Sequence, residues 1–356
     1  MTAAFDHIPL IDIGPLFGSD ATAKAKTAAE LADAASNVGF LYITNHGIEP
    51  ALIERLEAAA AEFFALPLET KQKYYIGKST CHRGYVPTGE EGYYNDEPGK
   101  VDLKEAFDLA LDLPATDPDY LAGNRMLGPN VWPAELPGFK TDIKAYYDAA
   151  LALGNVMFRG FALALGLPET YFEPLVTKPT SQLRLVHYPQ NDSGDTSGFG
   201  IGPHTDFECF TILHATKPGL QVQNPDGDWI EAPPIPGAFV VNIGDMLEAW
   251  SNGRFVATGH RVLKTPVERY SFPLFCALDY HTVVKPMPEF VSADNPPRFP
   301  EITAGDHLVA QSINAFRYLR TLLASGEISM PDTAPSDQIF GHDSLKTEKN
   351  AATLEV

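Results

Sequence analysis

The sequence predicts a mainly β core, a sandwich or a barrel, with flanking helices and a helical N-terminal part. Two observations carry this expectation. From about residue 180 to 285 the chain is a series of short apolar runs separated by Gly, Pro, Asn and Asp, the rhythm of an all-β core. Before it, residues 22–36 and 50–64 place apolar side chains at helical spacing. Composition agrees. Apolar residues make up 44% and charged residues 20% of the 356 positions, which suits a globular chain and not a disordered one. Thirty prolines and twenty-eight glycines make frequent turns the rule.

Taken in order, Ile8–Ile13 reads as a short strand. The Ala-rich helix at 22–36 is stopped by Gly39, and Phe40–Thr44 follows as a buried strand ending at Asn45-His46-Gly47. Leu52, Ile53, Leu56, Phe63 and Phe64 give the 50–64 helix its apolar face, with Pro67 beyond it. Residues 77–103, polar and rich in Gly, Tyr and Glu, suit a mobile loop. Residues 138–166 carry one or two long helices closed by Gly166. The β runs are Leu183–Tyr188, Phe207–Leu213, Leu220–Gln223, Trp229–Glu231, Phe239–Ile243, Phe255–Leu263 and Ser271–Leu278. Asn224-Pro225-Asp226-Gly227 forms a hairpin turn between two of them. The last fifteen or so residues are polar and loose.

Charge and cysteine content exclude several classes of function. Acidic residues outnumber basic ones by 46 to 26, a net charge of −20, and no Lys/Arg-rich stripe opposes it. Such a surface repels nucleic acid and anionic lipid. Cys81, Cys209 and Cys276 fall in no paired spacing, which rules out a disulfide framework and a Cys-based zinc site. The opening residues lack the basic and apolar regions of a signal peptide. The longest apolar stretch, 149–167, is interrupted by Asn155 and Arg159. A cytoplasmic globular protein is expected.

The chemistry is concentrated in three places. In His204-Thr205-Asp206, placed at the start of an apolar strand, residues i and i+2 would face one way. An imidazole and a carboxylate facing a β core together need a partner, and a metal ion is the natural one. His260, in Thr258-Gly259-His260-Arg261-Val262, supplies a third ligand from another strand-like run. Two His and one carboxylate leave adjacent coordination positions open, which suits non-haem Fe(II), although zinc hydrolases use the same set. Nine residues after His260, Arg269 and Ser271 are again i and i+2. A guanidinium with a neighbouring hydroxyl is shaped for a carboxylate. A cosubstrate that chelates the metal at one end and places a distal carboxylate on Arg269 explains all five residues, and 2-oxoglutarate has that shape.

With these residues in view, the chain resembles the 2-oxoglutarate/Fe(II)-dependent dioxygenase superfamily, in its isopenicillin N synthase-like branch. The resemblance runs through Ile8–Ile13, Gly39–Gly47, Arg83-Gly84-Tyr85 and Asp102–Asp108. It continues through Arg184–Pro189, His204-Thr-Asp206, Asn242–Gly253, His260-Arg-Val262 and Arg269-Tyr-Ser271. It implies a double-stranded β-helix (jelly roll) core, iron ligands His204, Asp206 and His260, and a 2-oxoglutarate carboxylate on Arg269 and Ser271 with Tyr188 as a third contact. Where the plant branch has Asn two residues before that Tyr, this chain has Val186. The implied regions are 1–178 (helical and mixed), 179–285 (catalytic jelly roll) and 286–356 (C-terminal helix and tail).

The implied reaction couples O₂ and 2-oxoglutarate to hydroxylation of an unactivated C–H bond of a small molecule, with release of succinate and CO₂. Two alternatives stand beside it: a four-electron oxidase resembling isopenicillin N synthase that uses no 2-oxoglutarate, and a non-catalytic small-molecule-binding jelly roll. Arg83, Asn242 and Phe275 are candidates for contact with the substrate. His46, His187, His214 and His281 read as packing histidines, Asn252 as a satisfier of backbone groups, and Cys209 as core.

Overall fold

The computed structural model describes residues 4–92, 102–190 and 199–332. The expected tail and the 93–101 part of the expected loop lie outside them. Helix α1 (Ala21–Asn37) starts where the Asp20 side chain accepts the Thr22 and Ala23 N–H groups, at 2.9 and 3.2 Å. It ends at Gly39, whose φ of +71° lets the chain turn straight into β2 (Phe40–Thr44). A Cβ there would lie 2.4 Å from the Val256 carbonyl oxygen, so only glycine fits. Strand β1 (Leu10–Asp12) pairs parallel with β2, and α2 (Pro50–Phe64) and the short α3 (Leu68–Gln72) follow.

The next stretch departs from expectation. The polar segment expected to be a mobile loop contains a buried strand, β3 (Gly84–Val86), and β4 (Glu105–Ala110) follows it as its antiparallel partner. Every residue of β4 is buried although two of its six are acidic, because Lys71 Nζ lies 2.7 Å from Glu105 and Arg184 Nε 2.7 Å from Asp108. After the one-turn α4 (Pro118–Leu121), the 138–166 region forms one continuous helix, α5 (Phe139–Ala164).

The β core has strands β5 (Gln182–Tyr188), β6 (Phe199–His204), β7 (Phe210–Ala215), β8 (Leu220–Gln223), β9 (Trp229–Glu231) and β10 (Phe239–Ile243). Helix α6 (Asp245–Trp250) leads on to β11 (His260–Leu263) and β12 (Arg269–Cys276). Asn224–Gly227 does turn β8 into antiparallel β9. The large sheet has the order β1-β2-β10-β7-β12-β5-β4-β3, and the smaller one β6-β11-β8-β9. The first four strands of the chain thus complete the large sheet. A two-stranded pair, β13 (Val283–Val284) with β14 (Ile302–Thr303), precedes helices α7 (Ala304–Ala315) and α8 (Arg317–Ser325). Among the described residues no helix is long and apolar enough to cross a membrane.

Side-chain alternation divides the two faces of the large sheet. On β5, Leu183 and Leu185 join the helix-side core, while Gln182, Arg184, Val186 and Tyr188 face a cavity between the sheets. On β12, Phe272, Leu274 and Cys276 face the helices, and Arg269, Ser271 and Phe275 face the cavity. The helix side is sealed by rings: Phe210 of β7 meets Phe158 and Phe161 of α5 at 4.7 and 5.0 Å between centroids. Each such buried ring contributes on the order of 2–3 kcal/mol. One dry face thus anchors the sheet, and the other is left to carry chemistry.

Candidate active site

His204 and His260 stand directly opposite each other in the antiparallel pairing of β6 and β11. Asp206 reaches them differently from the sequence expectation. Strand β6 ends at His204, and Asp206 lies in the turn before β7, so the two are not alternate residues of one strand. The turn brings the carboxylate back: Asp206 Oδ1 is 3.7 Å from His204 Nε2 and 3.6 Å from His260 Nε2. One ligand atom from each of the three residues lies within 4.8 Å of the other two.

The surroundings orient this trio for a cation. His204 Nδ1 lies 2.8 Å from the Gly202 carbonyl oxygen, and His260 Nδ1 lies 3.2 Å from that of Thr258. A carbonyl only accepts, so each Nδ1 carries the proton and each Nε2 keeps the lone pair that a metal requires. Asp206 Oδ2 accepts from Thr211 Oγ1 and from Asn242 Nδ2, the latter at 2.7 Å, which turns Oδ1 toward the imidazoles. The Phe40 ring backs His260 edge-on at 5.2 Å. Burial, with His260 alongside, pushes His204 down to about 3 and so keeps it neutral. Burial alone would raise Asp206, but His260, His204 and the Asn242 bond hold it well below the usual carboxylate range. Two imidazoles that present Nε2 and one carboxylate suit a divalent metal.

Arg269 stands deeper in the same cavity, only 1% exposed. Its Nε donates to the Lys217 carbonyl at 3.1 Å, and its guanidinium carbon lies 4.6 Å from the centre of the Tyr188 ring. Its Nη1 is buried without a hydrogen-bond partner among the described residues. Ser271 Oγ, two residues along β12, donates to Tyr188 Oη at 3.5 Å across the β5–β12 pairing. An unpartnered buried guanidinium nitrogen beside two hydroxyls is a seat for a carboxylate.

The remaining candidates separate. Phe275 lines the cavity, and Asn242 does so while also bonding Asp206. Arg83 is not among the residues facing the cavity. Its guanidinium donates to the carbonyls of Cys81, His82 and Met126 and to Asn130 Oδ1, so it fastens the β3 entry. His187 lies between Glu105 and Glu268, and His46 stacks on Phe239 at 4.2 Å, in keeping with packing roles. His281 instead lies exposed, 3.6 Å from Asp119. Asn252 donates to the Phe290 and Pro296 carbonyls as expected, and Cys209 is fully buried.

Sequence reasoning missed a charged wall on the other side of the cavity. Arg184 donates to Asp108 through Nε and Nη2, at 2.7 and 2.8 Å, and to Glu91 through Nη1 at 2.7 Å. Lys104 Nζ lies 2.8 Å from Glu91 and 3.7 Å from Asp102. Glu208 faces the same space. Burial, with Asp206 nearby, pushes its carboxyl up to about 8. An Arg inside the apolar run at 183–188 and an Asp inside Ala106–Ala110 were the available signal, since buried charges come in pairs.

Comparison with known proteins agrees with this geometry. Residues 8–135 match the family described as non-haem dioxygenase in morphine synthesis N-terminal. Residues 179–278 match the 2OG-Fe(II) oxygenase superfamily. The chain is 36% identical over 307 residues to the 2-oxoglutarate-Fe(II) type oxidoreductase hxnY of Emericella nidulans, covering 84% of this chain and 87% of that one. It is 34% identical to a homoarginine-6-hydroxylase of Oryza sativa, covering 89% and 99%. Full-length T7H of Neurospora crassa, crystallised with alpha-KG and thymine, superimposes with a TM-score of 0.73 at 30% identity, covering 90% of this chain and 97% of that one. The jelly-roll core, the three-residue cluster between its sheets and these relatives lead to one conclusion: the chain belongs to the 2-oxoglutarate/Fe(II)-dependent oxygenase superfamily and is an Fe(II)- and 2-oxoglutarate-dependent oxidoreductase.

Proposed function

We propose that the protein hydroxylates an unactivated C–H bond of a small molecule, with His204, Asp206 and His260 holding the iron and Arg269, Ser271 and Tyr188 holding the distal carboxylate of 2-oxoglutarate. The observation that carries this reading is Arg269 Nη1, buried and unpartnered in the cavity that also contains the three-residue cluster. With O₂ and 2-oxoglutarate, iron supplies the oxidation, releasing succinate and CO₂. The protein's own residues do the placing. Thr211 and Asn242 fix Asp206, the backbone carbonyls fix both imidazoles, the Phe40 ring backs His260, and the Tyr188 ring lies against the Arg269 guanidinium.

The small-molecule assignment is supported by the cavity beside the three-residue cluster and by relatives named for homoarginine and crystallised with thymine. T7H was crystallised with alpha-KG, which favours 2-oxoglutarate use over the four-electron oxidase alternative. The test is a screen for substrate-stimulated succinate release across amino acids, nucleobases and specialised metabolites. Succinate formed in step with a product one oxygen heavier supports the reading. Product formed with no 2-oxo acid present rejects it in favour of the oxidase.

A further inference from the structure

The cavity holds three carboxylates among its described lining residues, and two of them are matched. Asp206 faces the imidazoles of His204 and His260, and Glu91 faces both Arg184 and Lys104. Glu208 differs: among the described residues no cation pairs with it. Its main chain is fixed, since its carbonyl accepts the Met246 N–H at 3.1 Å and a Cβ at Gly244 would lie 2.3 Å from that oxygen. The side chain is half-buried at the cavity surface.

The cations nearby are not available to it or to an incoming anion. Arg184 directs Nε, Nη1 and Nη2 to Asp108 and Glu91, and its guanidinium is covered by the Phe275 and Phe316 rings, 5.9 and 5.5 Å away. Lys104 lies between Glu91 and Asp102. The charges of a bound divalent metal and a 2-oxoglutarate dianion cancel, and Asp206 offsets Arg269. What remains facing the substrate space is Glu208, which forms no ion pair among the described residues. A carboxyl group whose surroundings disfavour its charge gains most from an incoming cation and penalises a second anion.

We propose that Glu208 determines substrate specificity and that the primary substrate carries a positively charged nitrogen group (ammonium, amidine or guanidinium) that Glu208 receives. The inference rests on the oxygenase reading of this cavity but has its own test. Full-length protein loaded with Zn(II), with and without 2-oxoglutarate, is titrated calorimetrically with four probes of similar size: benzylamine, benzamidine, benzyl alcohol and benzoate. The two cations should bind on the order of tenfold more tightly than the alcohol, with benzoate weakest, as a charge-assisted hydrogen bond predicts. Glu208→Gln should abolish the ranking, and Glu208→Asp should keep its sign. A crystal of the benzamidine complex should place the amidinium within hydrogen-bond distance of the Glu208 carboxylate, a result independent of any variant's folding. A flat or reversed ranking in the wild-type protein, or benzamidine seated elsewhere, overturns the proposal. Failure of 2-oxoglutarate itself to bind would count against the oxygenase reading, and the probe series without it would still decide the role of Glu208.

Discussion

Asn242 donates its side-chain amide to Asp206 Oδ2 at 2.7 Å, from the strand of the large sheet that pairs with both β2 and β7. The contact ties the three-residue cluster to an interior strand of the large sheet and helps decide which carboxylate oxygen faces the imidazoles. Asn242→Ala should therefore lower Fe(II) affinity by about 10–100-fold, the usual effect of losing a group that orients a ligand. Thermal unfolding of the metal-free protein should change little by comparison. Metal titration of both proteins checks it, and equal affinities would remove Asn242 from this role.

Removing a proposed ligand outright should act more strongly. His204→Ala and His260→Ala should each abolish iron binding while leaving the circular dichroism spectrum intact, because the β6–β11 pairing is made by backbone bonds. Asp206→Ala should retain weak metal binding through two imidazoles but lose coupled turnover. Near wild-type turnover in either His variant would contradict the assignment.

Arg269 should account for most of the discrimination for 2-oxoglutarate. Arg269→Ala should cost on the order of 2–5 kcal/mol of cosubstrate binding, because a buried carboxylate loses its cation. Arg269→Lys should be damaged less, keeping charge but losing the planar fork. Ser271→Ala should cost about 1 kcal/mol, the worth of one hydrogen bond. Dissociation constants for 2-oxoglutarate in the three variants give the order directly.

The buried network of Arg184, Asp108, Glu91 and Lys104 should govern stability and acid sensitivity. Arg184→Met leaves two carboxylates buried without their main partner, and a loss of about 3–5 kcal/mol is expected in denaturant unfolding. For Glu91, burial alone would raise the pKa, but Arg184 and Lys104 hold it well below its ordinary 4.5. Its contribution is thus fully present above that ordinary value and is lost as pH falls toward the folded-state one. Burial pushes Asp108 up in spite of Arg184, which acts in the opposite sense. The comparison that isolates Glu91 is Glu91→Gln, whose stability should be lower at neutral pH and fall less steeply below about pH 4.5. Parallel pH profiles for the two proteins would contradict this.

Much of the site was legible in the sequence because its residues are unusual for where they stand. His260 sits in an apolar run and Arg269 immediately before one, and a buried charge there needs a partner. The error over Asp206 has a physical origin. Phe199-Gly-Ile-Gly-Pro-His204 contains two glycines and a proline, so no apolar run marks it as a strand, yet it forms β6 and ends at the first histidine. The cross-strand pairing of His204 with His260 depends on long-range register, which no local pattern records. Strands β3 and β4 were missed for a related reason. The acidic residues of β4 are buried only because Lys71 and Arg184 arrive from elsewhere in the chain, and β3 is drawn in as its partner.

The most direct test of the central claim is anaerobic absorption spectroscopy of the full chain with Fe(II) and 2-oxoglutarate. A 2-oxo acid chelated to Fe(II) gives a visible metal-to-ligand charge-transfer band. The account predicts that the band saturates at one equivalent of each per chain, is absent in His260→Ala, and needs much higher 2-oxoglutarate in Arg269→Ala. A wild-type protein that binds Fe(II) but develops no such band at any 2-oxoglutarate concentration would contradict it.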